Sequence, residues 1–189
     1  MSVHAGVKSR DITQIAIEFG QCIKGQQLRE FELQQIPSGD AREAFLPLLL
    51  LADDSEQQVR SYMNEGTLYA FGPVESGDAL GMVLAISEPD GSVELKAVAV
   101  AEALHGQGIG SKMLRAVIDD LRNRGVRHLI VGTGNSGIGQ LAYYQKAGFR
   151  LWKIERDFFS ADRGYPDDLE ENGIPLRDMV WMDQGLCEK

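Results

Sequence analysis

His105-Gly106-Gln107-Gly108-Ile109-Gly110 joins a strand-like run, Val93 to Val100, to a helix-like run, Ser111 to Arg122. Three glycines in alternate positions let backbone N–H groups converge with no side chain in the way, and the helix that follows adds unpaired amides and the positive end of a dipole. The stretch therefore reads as a cradle for a diphosphate. A Walker A loop would close on Gly-Lys-Ser/Thr, whereas Gly110 is followed by Ser111-Lys112, and no glycine stands five positions upstream. The dinucleotide fingerprint G-x-G-x-x-G fails too, because Gly106, Gly108 and Gly110 give G-x-G-x-G.

Upstream of this loop, Thr67 to Phe71, Ala79 to Ser87 and Val93 to Val100 read as three strands separated by Gly-Pro, Ser-Gly and Pro-Asp-Gly turn signals, which makes them antiparallel neighbours. Glu30 to Ile36 precedes them as a first strand. Ala41 to Ala52 and Ser55 to Glu65 follow it as helices, the second opened by a Ser55 cap. Before all of these, Asp11 to Lys24 sets Ile12, Ile15, Ala16, Phe19 and Ile23 at helical spacing ahead of Gly25, an amphipathic helix suited to packing on the domain or to a dimer contact. Downstream, Met113, Leu114, Val117, Ile118 and Leu121 form one apolar stripe on a helix that stops at Gly125. Arg127 to Val131 is a short strand, Ile138 to Ala147 a helix closed by Gly148, and Phe149 to Ile154 and Arg177 to Met182 the last strands. Glu155 to Leu176 is an acidic loop region holding Phe158, Phe159 and Tyr165. This order predicts an α/β (α+β) fold built on a mixed sheet.

A second glycine cluster, Gly132-Thr133-Gly134-Asn135-Ser136-Gly137, is a true G-x-G-x-x-G between a strand and a helix, with Glu155 about 20 residues on where a ribose partner would stand. The alternative it raises is a dinucleotide-binding protein using Gly132 to Gly137. Against it, too little chain follows Glu155 to complete a doubly wound half, and the chain before residue 92 lacks an alternating βα rhythm.

The 189 residues, 43% hydrophobic and 25% charged, suit one globular domain with a sizeable core. A net charge of −9 disfavours nucleic acid or an anionic membrane as partner and favours a cationic substrate. Cys22 and Cys187 have neither metal-ligand spacing nor a disulfide framework, so reduced thiols in a cytoplasm and no metal are expected. No run approaches the ~20 apolar residues of a membrane span; the longest, Phe45 to Ala52, contains Pro47. Nothing near Lys8 and Arg10 forms a signal peptide's apolar centre, since Asp11, Gln14 and Glu18 interrupt it.

The run VELKAVAVAEALHGQGIGSKML resembles the acyl-CoA loop of GCN5-related N-acetyltransferases, whose signature Gln/Arg-x-x-Gly-x-Gly/Ala lies between the fourth strand and the third helix. It maps onto His105, Gly108 and Gly110: both glycines match and the first position departs. Downstream, GNSGIGQLAYYQKAGF resembles that family's Asn-x-x-Ala-x-x-x-Tyr-x-x-x-Gly-Phe region, with looser alanine spacing. The two matches cover roughly residues 79 to 155. The resemblance implies a mostly antiparallel central sheet flanked by helices and a single acetyltransferase domain (27–189), with acetyl-CoA as co-substrate; the N-terminal helical extension (1–26), read from the spacing of its apolar residues, precedes the point where that family usually starts.

Under that resemblance, backbone amides of Gly106, Gln107, Gly108, Ile109, Gly110 and Ser111 would hold the CoA diphosphate, and Val98 and Val100 would pair with extended pantetheine like an added strand. His105 would donate one hydrogen bond as a neutral imidazole and add charge when protonated. Lys112, Arg115 and Lys146 are candidates for the ribose phosphate. Acyl transfer to an amine needs a proton acceptor, an oxyanion site and a donor for the leaving thiolate. Tyr144, four residues before Gly148-Phe149, is in register to protonate or hydrogen-bond the sulfur. Strand alternation puts Glu94 on the face of Val98 and Val100 as general base, the Val100 amide would meet the oxyanion, and Asn135 could bind pantetheine. Asp157, Asp162, Asp167, Asp168, Glu170 and Glu171 suggest a cationic small-molecule acceptor such as a polyamine or aminoglycoside, with a protein N-terminus as rival. A non-catalytic acyl-CoA-binding module on the same fold is the alternative of another class, and a homodimer is a further expectation.

Overall fold

The computed structural model describes residues 31–53, 55–73, 79–166 and 168–186. The amphipathic helix expected over Asp11 to Lys24, the boundary at residue 26, both cysteines and Asp167 lie outside the described residues. The described residues fall into two compact units, one made of those up to Leu84 with Ala97–Val117, the other of Ala85–Lys96 with those from Ile118.

In the first unit, β1 (Phe31–Ile36) pairs antiparallel with β2 (Thr67–Pro73), Phe31 opposite Pro73 and Ile36 opposite Leu68. β2 is almost wholly buried, Leu68 through Phe71 meeting a core of Phe45, Leu48, Leu49, Val59 and Met63. The helix expected over Ala41 to Ala52 is instead a 3₁₀ run, Asp40–Phe45, passing into a single turn, α1 (Leu46–Leu49). Pro47 is the reason. It has no N–H to give Glu43, so the Glu43 carbonyl takes the Leu46 amide instead and ordinary i→i−4 bonding starts only with Leu50 to Leu46. α2 (Glu56–Tyr62) begins at Ser55, whose hydroxyl accepts from the Gln58 amide as expected. Buried Arg42 caps the other end: its guanidinium donates to the carbonyls of Met63 (2.8 Å), Glu65 (2.7 Å), Gly66 (2.9 Å) and Ile36 (3.2 Å).

β3 (Gly81–Ser87) and β4 (Val93–Val100) each begin in one unit and end in the other. α3 (Ile109–Asn123) carries the predicted stripe, with Met113, Leu114 and Val117 fully buried. It ends where expected, on left-handed Gly125 (φ 84°), with the Val126 amide reaching back to the Leu121 carbonyl and Gly125 to Arg122.

In the second unit, β5 (His128–Gly134) lies parallel to the start of β4 and antiparallel to β9 (Met179–Gly185), which in turn pairs antiparallel with β6 (Arg150–Glu155). β5 runs farther than the expected Arg127 to Val131 because β9 zips against its whole length, Gly134 opposite Met179. α4 (Ile138–Lys146) follows β5. Within the region read as loop, β7 (Glu170–Glu171) and β8 (Ile174–Pro175) form a small hairpin turned by Asn172 and Gly173, both at positive φ. The strands form a mixed, mostly antiparallel seven-stranded sheet in the order β1-β2-β3-β4-β5-β9-β6, flanked by helices. No helix among the described residues is long and apolar enough to cross a membrane.

Candidate functional site

Val98, Val100, His105, Gly106, Gln107, Gly108, Ile109, Gly110 and Ser111 belong to one continuous strand–turn–helix of the first unit. Burial alternates without interruption along β4, so Glu94, Lys96, Val98 and Val100 all take the less buried face. At the strand's end Ala101 donates to the Leu80 carbonyl, and a 3₁₀ turn (Glu102–Leu104) drives buried Leu104 into the core. Gly81 makes this seat tight. A methyl there would stand 2.8 Å from both the Ala99 carbonyl and the Met113 sulfur.

Gly106 and Gly108 then adopt left-handed φ of 75° and 77°, a region L side chains avoid, and no heavy atom lies within 4 Å of where either Cβ would be. Open space on that side and the first turn of a 15-residue helix on the other leave room in which backbone amides could hold an anion. Buried Ile109 anchors the helix start, and Lys112 donates to the Gly108 carbonyl. Two polar side chains fold back on their own turn. His105 Nε2 lies 2.9 Å from the Val100 carbonyl, which can only accept, so Nε2 carries the proton. Gln107 donates to the Ala103 carbonyl at 3.0 Å. The contact from His105 to the strand end has no sequence signature, because it depends on the turn between them. Lys112 Nζ stands 5.6 Å from the Phe31 ring centroid, while Arg115 and Lys146 are exposed.

Glu94, Asn135 and Tyr144 belong to the second unit. The Glu94 carboxyl is pushed up from its ordinary value chiefly by burial; Lys96, 3.3 Å away, partly offsets this, and the like charge of Glu88 reinforces it. The contribution of Glu88, from the Pro-Asp-Gly turn, was not foreseen. Asn135 is more occupied than its sequence position suggests. Its side-chain oxygen accepts the amides of Arg177 (2.9 Å) and Asp178 (3.0 Å), and its nitrogen donates to the Pro175 carbonyl (3.0 Å). One amide hydrogen is left for a ligand.

Tyr144 is buried, packed edge-on against Phe149 (5.8 Å) and Tyr143 (5.1 Å). Burial, with a smaller push from Tyr143, raises its phenol well above the ordinary value. The orphaned buried polar atoms among the described residues are Ser136 Oγ and Gln184 Oε1.

The second glycine cluster has another physical reason. A Cβ on Gly132 would meet the Met179 sulfur at 2.8 Å and the Trp181 ring at 3.2 Å, and one on Gly134 would run into Leu176. These glycines let β9 side chains and the segment before them lie against β5. The fingerprint that suggested a dinucleotide is filled by the chain's own residues.

Comparison with known proteins agrees with this geometry. The model of the Acetyltransferase (GNAT) family matches residues 32–149. The uncharacterized N-acetyltransferase YvbK of Bacillus subtilis is 38% identical over 142 residues, 75% of this chain and 88% of that one. Among solved structures, an IAA acetyltransferase from Bacillus cereus shares 38% identity at a TM-score of 0.72, covering 82% of this chain and 99% of its own. A GNAT family acetyltransferase from Elizabethkingia anophelis with acetyl-CoA bound shares 34% at a TM-score of 0.72, covering 82% and 97%. A glycine turn between the fourth strand and α3, a fold shared with solved acetyltransferases, and a family match over most of the chain converge: the chain belongs to the GNAT acetyltransferase family.

Proposed function

We propose that this acetyltransferase moves the acetyl group of acetyl-CoA to a primary amine by direct attack, with no covalent enzyme intermediate. The observation that carries the reading is the pair of left-handed glycines, Gly106 and Gly108, open on their Cβ side and leading into α3. The backbone of Gly106 to Ser111 receives the diphosphate, and Val98 and Val100 offer backbone to pantetheine. Asn135 contributes its one remaining amide hydrogen.

The amine must lose a proton as it attacks the thioester carbonyl. Glu94, directly or through water, is the acceptor; burial brings its proton affinity toward the operating range of a base. The Val100 amide faces the oxyanion of the tetrahedral intermediate. Tyr144 donates a hydrogen bond to the departing sulfur. A phenol raised by burial keeps its proton against a thiolate of ordinary pKa ~8.5, so hydrogen bonding rather than complete proton transfer is its role. His105 holds the end of the strand through the Val100 carbonyl.

The acceptor is a small cationic amine in a cytoplasmic setting. A net charge of −9, with exposed Asp157, Asp162, Asp168, Glu170 and Glu171, supports it. The domain runs over residues 27–189 behind an extension of residues 1–26. Incubation with acetyl-CoA and a panel of amines, with liberated CoA titrated by a thiol reagent, tests the reading. Turnover on a cationic amine is expected, lowered at least about tenfold in kcat by Tyr144→Phe with little change in KM for acetyl-CoA. Absence of turnover on every amine overturns it.

A further inference from the structure

Ile130 stands beside Glu94 in the parallel register of β4 and β5, so their side chains share one face of the sheet, and alternation along β5 puts Gly132 and Gly134 on that face too. Side chains from later in the second unit occupy the space above these glycines. Met179 and Trp181 lie over Gly132, and Leu176 and the Phe159 ring over Gly134, the ring 3.8 Å from where a Cβ would stand. The face that carries Glu94 thus leads, about 13 Å along β5, to a phenylalanine.

Phe159 is one of three gathered rings. Phe158 and Phe159 meet edge-on at 5.1 Å, Tyr165 stands edge-on to Phe159 at 5.0 Å, and all three are half-buried. Their loop is held from two sides. The Phe159 amide donates to the Arg177 carbonyl (2.9 Å) and the Asp157 amide to the Asp178 carboxylate (3.0 Å), while Asn135 Oδ1 accepts the amides of Arg177 and Asp178 and so fixes that segment to the end of β5. On the other side, one Glu155 oxygen takes the Arg163 guanidinium (3.0 Å) and the second takes the Trp181 indole N–H (3.2 Å). Arg163 then lies 4.3 Å over the Phe158 ring, so a cation already uses one face of the cluster, its charge met by a carboxylate. Asp157 and Asp162 stand exposed on the same loop.

We propose that this ring cluster receives the second positive charge of a diamine acceptor whose reacting nitrogen lies at Glu94. The inference rests on the reading of Glu94 as base and of the acceptor as a cationic amine. The reacting nitrogen, as the neutral amine, forms the C–N bond while the thioester C–S bond breaks; its surplus proton passes to Glu94, and CoA leaves as the thiolate. The other nitrogen keeps its charge, which the π-faces of the cluster and the carboxylates of Asp157 and Asp162 attract.

Steady-state kinetics on the full chain with acetyl-CoA test this, comparing a linear α,ω-diamine with the monoamine of the same chain length. The wild type should show a KM at least about threefold lower for the diamine. Phe159→Leu, which stays apolar but removes the π-face, should bring the two KM values together, and Phe159→Tyr should keep them apart. Misfolding lowers turnover on both amines without merging their KM values, and the net charge of −9 is the same in all three proteins, so neither imitates the change. Turnover by the wild type with equal KM for the two amines, or a difference that Phe159→Leu leaves intact, overturns the inference and leaves the acetyltransferase reading standing. Absence of turnover on every amine overturns both.

Discussion

At Glu94 and Tyr144 one cause, removal from water, acts on two acids with opposite consequences for their use. The carboxylate becomes a better proton acceptor and the phenol a more tenacious donor. The pH profile of kcat/KM is therefore expected to show an acidic limb above the ordinary carboxylate range that Glu94→Gln abolishes, with activity down by about a hundredfold. The same shift has a sign for stability. A carboxyl that binds its proton more tightly when folded stabilises the fold below its unfolded value, and that advantage is lost as pH rises through the folded value. Urea titrations of wild type and Glu94→Gln across that window should differ in slope accordingly. Arg42 illustrates burial without any titration: its guanidinium ties Ile36 to the carbonyls that end α2. Arg42→Met should cost about 3 kcal/mol in chemical denaturation, since several buried carbonyls lose a charged donor. Sequence reading passed over Arg42, because a lone arginine in a polar stretch is ordinarily exposed. It singled out Tyr144 by register with Gly148-Phe149, but not its burial.

At the level of elements, two glycine-rich loops that look alike in sequence separate by physics. Gly108 needs its left-handed backbone and has open space beside it, whereas Gly134 has ordinary backbone with Leu176 lying where its Cβ would stand. Gly108→Ala should strain the turn by roughly 1–2 kcal/mol and raise KM for acetyl-CoA several-fold. Gly134→Ala should lower stability by about 2 kcal/mol while leaving KM for acetyl-CoA nearly unchanged. Thermal melts and saturation kinetics on the two variants check the contrast. Strand and helix positions were legible wherever periodicity was long, as in β4 and α3. The 3₁₀ run before Pro47 was not, since apolar spacing cannot distinguish i→i−3 from i→i−4 bonding, and the hairpin of β7 and β8 is too short to show alternation.

On the scale of the whole molecule, the excess of acidic residues makes the chain a collector of cations. If the acceptor is cationic, kcat/KM should fall severalfold as ionic strength rises from low to physiological, where the Debye length shrinks to about 8 Å, while a neutral amine shows no such dependence. Steady-state rates with the two acceptor types at matched pH measure it. What the sequence by itself determined is the family and the order of the longer strands and helices. Turn glycines, apolar periods and two spaced motifs are local properties, and they survive in one dimension. Only the tertiary structure decided which glycine loop stays open and which is filled, that His105 turns back to Val100, that Asn135 holds the segment before β9, and that β6 leaves its apolar residues uncovered. Each of these depends on which distant segment lies alongside, through steric exclusion and hydrogen bonds across the fold, and no local spacing encodes it.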